Sequence, residues 1–193
     1  MTKVLLTGFE PFGTATSNPS GEIVKQISGD NIVTAILPVA YAGSAERLLA
    51  LIAEHNPDVV ICLGQAEGRT QITPEKIAIN LDDARLADNE GVLRNDVKIL
   101  VDGPDAYFTT LPINKMVEAI KAKGVPAAVS LSAGAFLCNH VFYVAQNKFA
   151  GTKVRSGFVH VPLMDSQAPE FPGLPTMPLD QMVIAVRAML EVL

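Results

Sequence analysis

Along the chain, short continuous apolar runs alternate with longer segments whose apolar positions recur every three or four residues. The runs are KVLLTGF (3–9), IVTAILPV (32–39), VVICLG (59–64), KIAINL (76–81), AAVSLS (127–132) and GFVHVPL (157–163). Several lack polar alternation, as strands buried on both faces do. Between most of them lie helical patterns. One covers 20–28 and follows Asn18-Pro19. Another covers 43–55, with apolar residues at 45, 48, 49 and 52, and stops before Pro57. Those at 113–124 and 138–151 end on Gly124 and Gly151, as helices with a left-handed C-terminal residue do. A last pattern fills 179–193. The alternation predicts an α/β fold, a three-layer α/β/α sandwich around a central mixed, mostly parallel sheet. With no linker, repeat or low-complexity segment, residues 1–193 read as one catalytic domain. The polar, turn-rich stretch 82–110 breaks the rhythm, and long loops of this kind are often functional.

Composition narrows the partners. The net charge of −5 and the absence of a Lys/Arg run argue against nucleic acid. No apolar stretch has the length of a membrane span, and the N-terminus reads as a strand rather than a signal peptide. Two cysteines, Cys62 and Cys138, make no disulfide framework, which fits a reduced, cytoplasmic protein. A mean hydropathy of +0.29 is compatible with some apolar surface being covered by another copy.

In open α/β sheets, sites gather where strands end. This points to GFEPFG, GQAEGR, SAGAFLC and HVPLMD. Cys138 follows the turn 133–136 and opens a helical pattern, where free N–H groups and the helix dipole stabilise a thiolate or an oxyanion. The alternative is a small buried hydrophobe. Cys62, in mid-strand, takes that second reading. Of three histidines, His55 ends a helix in EHNPD and reads as solvated. His140 is two positions after Cys138, roughly 200° around a helix, so it orients the loop rather than facing the sulfur. His160 is the candidate base, provided its strand neighbours 127–132. A Cys–His pair needs a third group to orient the imidazole. Glu75 in ITPEK is one candidate; Asp82, Asp83 and Asp165 compete with it.

The motifs VLLTGFEPFG, NPS (18–20), GQAEGRTQITPEKIAIN (64–80), DARLADNEG (83–91), LPIN (111–114), AGAFLCNHVFY (133–143) and GFVHVP (157–162), in this order, resemble the pyroglutamyl-peptidase I (pyrrolidone-carboxylate peptidase) family of cysteine peptidases. The resemblance runs nearly end to end. It implies removal of an N-terminal pyroglutamyl residue through a thioester, with Cys138 as nucleophile, His160 as base and acid, and Glu75 as the orienting carboxylate. Phe9, Phe12 and Phe136 would wall a slot for the flat lactam, and Gln65 would offer it hydrogen bonds. Arg85 would support the loop or the oxyanion. The family implies a cytoplasmic homotetramer acting on pyroglutamyl peptides without metal or cofactor. The sequence departs from the pattern at Glu67, where the family has Gly, and at Ala87, where it has Pro. The third departure is LMDSQ after His160, where the family has an aromatic residue and a PEQ-like stretch. Two other readings are a non-catalytic pyroglutamyl-peptide binding module and a phosphorylase-like enzyme. The second lacks a phosphate loop.

Overall fold

A computed structural model describes residues 2–193. Its strands are β1 (Val4–Phe9), β2 (Ile32–Leu37), β3 (Val59–Gln65), β4 (Thr73–Pro74), β5 (Ile77–Ile79), β6 (Ala106–Phe108), β7 (Arg155–Val161), β8 (Leu163–Met164) and β9 (Thr176–Met177). Its α-helices are α1 (Pro19–Gln26), α2 (Tyr41–His55), α3 (Ile113–Ala122), α4 (Leu137–Phe149) and α5 (Leu179–Leu190). The central sheet runs β2-β1-β3-β7-β4. Its first four strands are parallel and the short β4 is antiparallel to β7. The sheet is therefore mixed and mostly parallel, with helices on both faces.

Period-2 alternation builds two cores. Val4 and Leu6 of β1, Val59, Ile61 and Leu63 of β3, and Val159 and Val161 of β7 pack on α1, α3 and α5. Leu5, Phe9, Val60, Cys62 and Phe158 point the other way, toward α2 and α4. β2 differs from the doubly buried strand expected at 32–39. It is an edge strand, partly exposed along its length, with Ile36 facing out.

Two further expectations need correction. KIAINL forms a strand only at β5, and that strand pairs with β6 in a separate two-stranded sheet. AAVSLS is not a continuous strand. It lies beside 72–76 through isolated bridges, Ile72 with Ala127 and Glu75 with Ser130. The N–H groups of Ala128 and Ser130 bond to Ile72 and Pro74, and that of Lys76 bonds back to Ser130. Pro74 has no N–H to supply the missing rung, so the ladder has a gap. β4 stands between this segment and β7. The juxtaposition of Cys138 with His160 therefore has a different origin from the strand neighbourhood expected.

That origin is the seat of α4 on β3. Gly134 takes the left-handed turn (φ 76°) that leads into the helix. The first turn of α4 then lies over Gly64, the register partner of His160. A β-carbon at Gly64 would sit 2.8 Å from Cys138 Sγ and 2.6 Å from the Phe158 ring. Gly64 is where the sheet lacks a side chain so that the sulfur can rest on it. Phe158 and His160 alternate onto this same face. Gly64→Ala is expected to overpack this seat, lowering stability by about 1–3 kcal/mol in urea unfolding and, by lifting the sulfur off the sheet, speeding thiol alkylation at Cys138.

Candidate active site

Glu75 is fully buried in extended backbone directly after β4, bridged to Ser130, and its N–H bonds to Phe158 C=O. Its Oε1 lies 2.7 Å from His160 Nδ1 and 2.7 Å from Arg69 Nη1. Carboxylates carry no proton to donate, so His160 donates from Nδ1 and keeps Nε2 as its basic nitrogen. Arg69 also donates from Nη2 to Ser132 C=O at 3.1 Å and from Nη1 to Thr73 Oγ1. One guanidinium thus ties the carboxylate to the turn that precedes α4. Burial lowers the His160 pKa; the hydrogen bond and charge of Glu75 oppose this and Arg69 reinforces it.

Cys138 sits at the second residue of α4. The helix is capped by Phe136 in extended conformation, with no side chain satisfying its first N–H groups. Those N–H groups remain available near the sulfur. The surroundings of the sulfur oppose the thiolate that the helix N-terminus favours. Desolvation, then the charge of Glu75, push the Cys138 thiol up to about 12, against the lowering influence of Arg69 and the local backbone N–H. Burial thus works against both charged forms, the imidazolium and the thiolate. The residue keeps partial exposure through the pocket it lines, so this balance can change when a ligand displaces water there. Cys62 is buried, and desolvation pushes its thiol up to about 11, in keeping with a core role.

Phe9, Phe12, Gln65 and Phe136 line one pocket with Cys138, together with Asn18, Val39 and Leu137. It encloses about 330 Å³, its mouth included. Its apolar walls are held by polar pins behind them. Asn18 Oδ1 caps α1 by accepting from Ser20 N–H and Oγ–H, and Ser20 Oγ accepts from Phe9 N–H at 2.9 Å. Glu10 accepts from Val39 N–H and from the Asn89 amide, which also reaches Pro11 C=O. Phe12 and Phe136 face each other with ring centroids 6.3 Å apart. Tyr41 meets Phe136 edge-on at 5.8 Å.

A second buried carboxylate lies behind Phe136. Asp82 Oδ2 is 2.9 Å from His140 Nδ1 and 2.7 Å from Arg94 Nη1. The Arg94 guanidinium lies 4.4 Å from the Tyr41 ring centroid, and His140 packs edge-on against Tyr41 at 5.4 Å. His140 thus points away from Cys138 and fastens the 82–101 loop to α4. Asn139 does the same for β5, accepting from Ile79 N–H and donating to the carbonyls of Ile79 and Leu81. Asp82 is spent on this clamp. Asp83 is exposed, as is Asp165 in the short 3₁₀ turn after β8. Arg85 is exposed and is not among the residues lining the pocket. His55 ends α2 beside Glu54.

Sequence reasoning missed Arg69, Asn139 and Gln167. Arg69 had a readable signal: a carboxylate buried between apolar strands needs a cation, and GQAEGR carries one six residues upstream, while the adjacent Lys76 alternates to the other face of the extended chain. The other two announce themselves only through contacts across the fold. Among the described residues no group of three or more His, Cys, Asp and Glu side chains is arranged to hold a metal ion.

A thiol at a helix N-terminus, an imidazole on the facing strand and a buried carboxylate behind that imidazole form the equipment of a cysteine-type hydrolase. The family model described as pyroglutamyl peptidase matches residues 2–193. The pyrrolidone-carboxylate peptidase of Aliivibrio fischeri is 48% identical over 200 residues, covering 99% of this chain and 94% of its own. That of Thermosipho melanesiensis is 47% identical, covering 92% and 91%. The crystal structure of pyroglutamyl peptidase I from Bacillus amyloliquefaciens superposes with a TM-score of 0.94 at 44% identity, covering 97% and 92%. A mutant pyrrolidone carboxyl peptidase from Pyrococcus furiosus gives 0.91 at 38%, covering 98% and 97%. The chain belongs to the pyroglutamyl peptidase family.

Arg69→Met is expected to remove a cation that lowers both the imidazole and the thiol pKa. The acidic and alkaline limbs of the pH profile of kcat/KM should both move to higher pH. Unmoved limbs would show that Arg69 does not act on the pair.

Proposed function

We propose that the protein is a pyroglutamyl-peptidase I, a cysteine-type hydrolase that removes the N-terminal pyroglutamyl residue from peptides. The observation that carries this reading is the position of Cys138 at the mouth of an apolar slot. A pyroglutamyl ring is flat, uncharged and lacks an N-terminal ammonium, so its site needs no carboxylate facing an amine. Phe9, Phe12 and Phe136 would sandwich the ring, and Gln65 would bond its polar edge. The scissile carbonyl would then lie over Cys138.

His160 Nε2 takes the thiol proton as sulfur attacks that carbonyl. Burial disfavours a preformed thiolate–imidazolium pair, which favours proton transfer during the attack. The developing imidazolium is paired with Glu75 through Nδ1. The N–H groups of the first turn of α4 receive the oxyanion. His160 then protonates the leaving amine, and water, activated by the same imidazole, hydrolyses the thioester. In this account residues 1–193 act as a single catalytic domain in the cytoplasm and assemble as a homotetramer, as the family resemblance implies. No α-helix among the described residues is long and apolar enough to cross a membrane.

Release of a fluorogenic amine from a pyroglutamyl amide, in reducing buffer, tests the reading. Cys138→Ala is expected to abolish turnover. His160→Ala should cost about 10³-fold or more in kcat, and Glu75→Gln less, since an orienting group can be partly replaced. A folded, reduced protein without turnover would overturn the assignment.

A further inference from the structure

The motif departure LMDSQ ends in Gln167, a residue with no exposed surface. Its side chain makes three hydrogen bonds. Oε1 accepts from Met164 N–H at 2.9 Å. Nε2 donates to Ser17 C=O at 3.2 Å and to Gln65 Oε1 at 3.0 Å. The first two partners are backbone groups of fixed polarity: an N–H can only donate and a carbonyl can only accept. They therefore fix which end of the Gln167 amide is which. Its NH₂ must face Gln65, so Gln65 must turn its carbonyl oxygen toward Gln167. The NH₂ of Gln65 is left on the opposite side, where the exposed Glu67 carboxylate is a distant acceptor at 3.5 Å.

We propose that Gln167 is a specificity-determining positioning residue. It locks the Gln65 amide so that an N–H donor, not a carbonyl, serves the apolar pocket. This inference rests on the reading of that pocket as the pyroglutamyl site. A donor there matches a ligand ring bearing a carbonyl, as a lactam does. It gives nothing to a prolyl ring, which offers only a cationic donor. The same side chain joins the end of β3, the loop that leads through Ser17 to Asn18, and β8. The polar partner of the ring and one wall of the slot therefore keep a common position.

The test is a double-mutant cycle with Gln65→Met and Gln167→Met on a pyroglutamyl amide, reading KM and kcat separately, with urea unfolding as a control. Gln65→Met is expected to raise KM about 3- to 10-fold, the worth of one hydrogen bond. Gln167→Met should raise KM by a similar factor with kcat changed less than about 2-fold. The double variant should be no worse than Gln65→Met alone, because both changes remove one interaction. If Gln167→Met does not fold, Gln167→Glu takes its place. It keeps the bond from Met164 N–H and, when ionised, sets oxygen against oxygen at Gln65, so KM should rise likewise. Raised KM in Gln65→Met with normal KM in the Gln167 variant would overturn the positioning role and leave the pocket reading standing. Effects that multiply in the double variant would overturn it too. Normal KM in Gln65→Met would remove Gln65 from the site, and the inference with it.

Discussion

A carboxylate without water is the constraint on which this architecture turns. Glu75 has no exposed surface, and an isolated carboxylate in such a place would take up a proton rather than stay charged. Two donors answer this on a single oxygen, the imidazole of His160 and the guanidinium of Arg69. Each comes from a different element: β7 carries one, and the loop after β3 carries the other. Arg69 continues to the Ser132 carbonyl, at the turn that launches α4. Removing Arg69 would leave the buried Glu75 charge without its cation, the costly outcome for such networks. Strand pairing, loop path and helix start are thereby referred to one atom.

The same solution recurs at Asp82, with His140 and Arg94 as donors. The chemistry of the two sets is alike and their surroundings differ. His160 stands on the sheet face that also receives the Cys138 sulfur. His140 faces Tyr41 and the loop, where a proton has no substrate to reach. In the proposed mechanism the first set moves a proton, while the second holds a wall of aromatic rings. Residue type cannot separate these roles; the direction of the second ring nitrogen can.

The layer architecture and the five helices were legible in the sequence because they rest on local periodicity. Helix α4 begins one residue from its expected start, and α1 begins at the proline that follows its cap. The reading failed where tertiary context decides. AAVSLS has a strand's composition, yet the proline in the neighbouring segment denies it one rung. β2 is as apolar as β3 but lies at an edge. Helical geometry turns His140 away from Cys138, and the structure pairs it with Asp82, while the strand neighbourhood expected behind His160 is replaced by the seat of α4 on β3. Glu75 could not be ranked above Asp82 from spacing, since both prove to be buried carboxylates with a histidine and an arginine. The helix dipole favours a thiolate at Cys138, and the desolvation that opposes it is invisible until the surroundings of the sulfur are known.

The bare glycine beneath Cys138 has a consequence for chemical durability. Oxidants and alkylating agents attack the thiolate, not the thiol. A sulfur resting on Gly64, walled by Phe158 and raised in pKa by its burial, is held toward the protonated form. Burial therefore slows the reaction of this thiol with such reagents. The seat that aims the sulfur also protects it from irreversible loss.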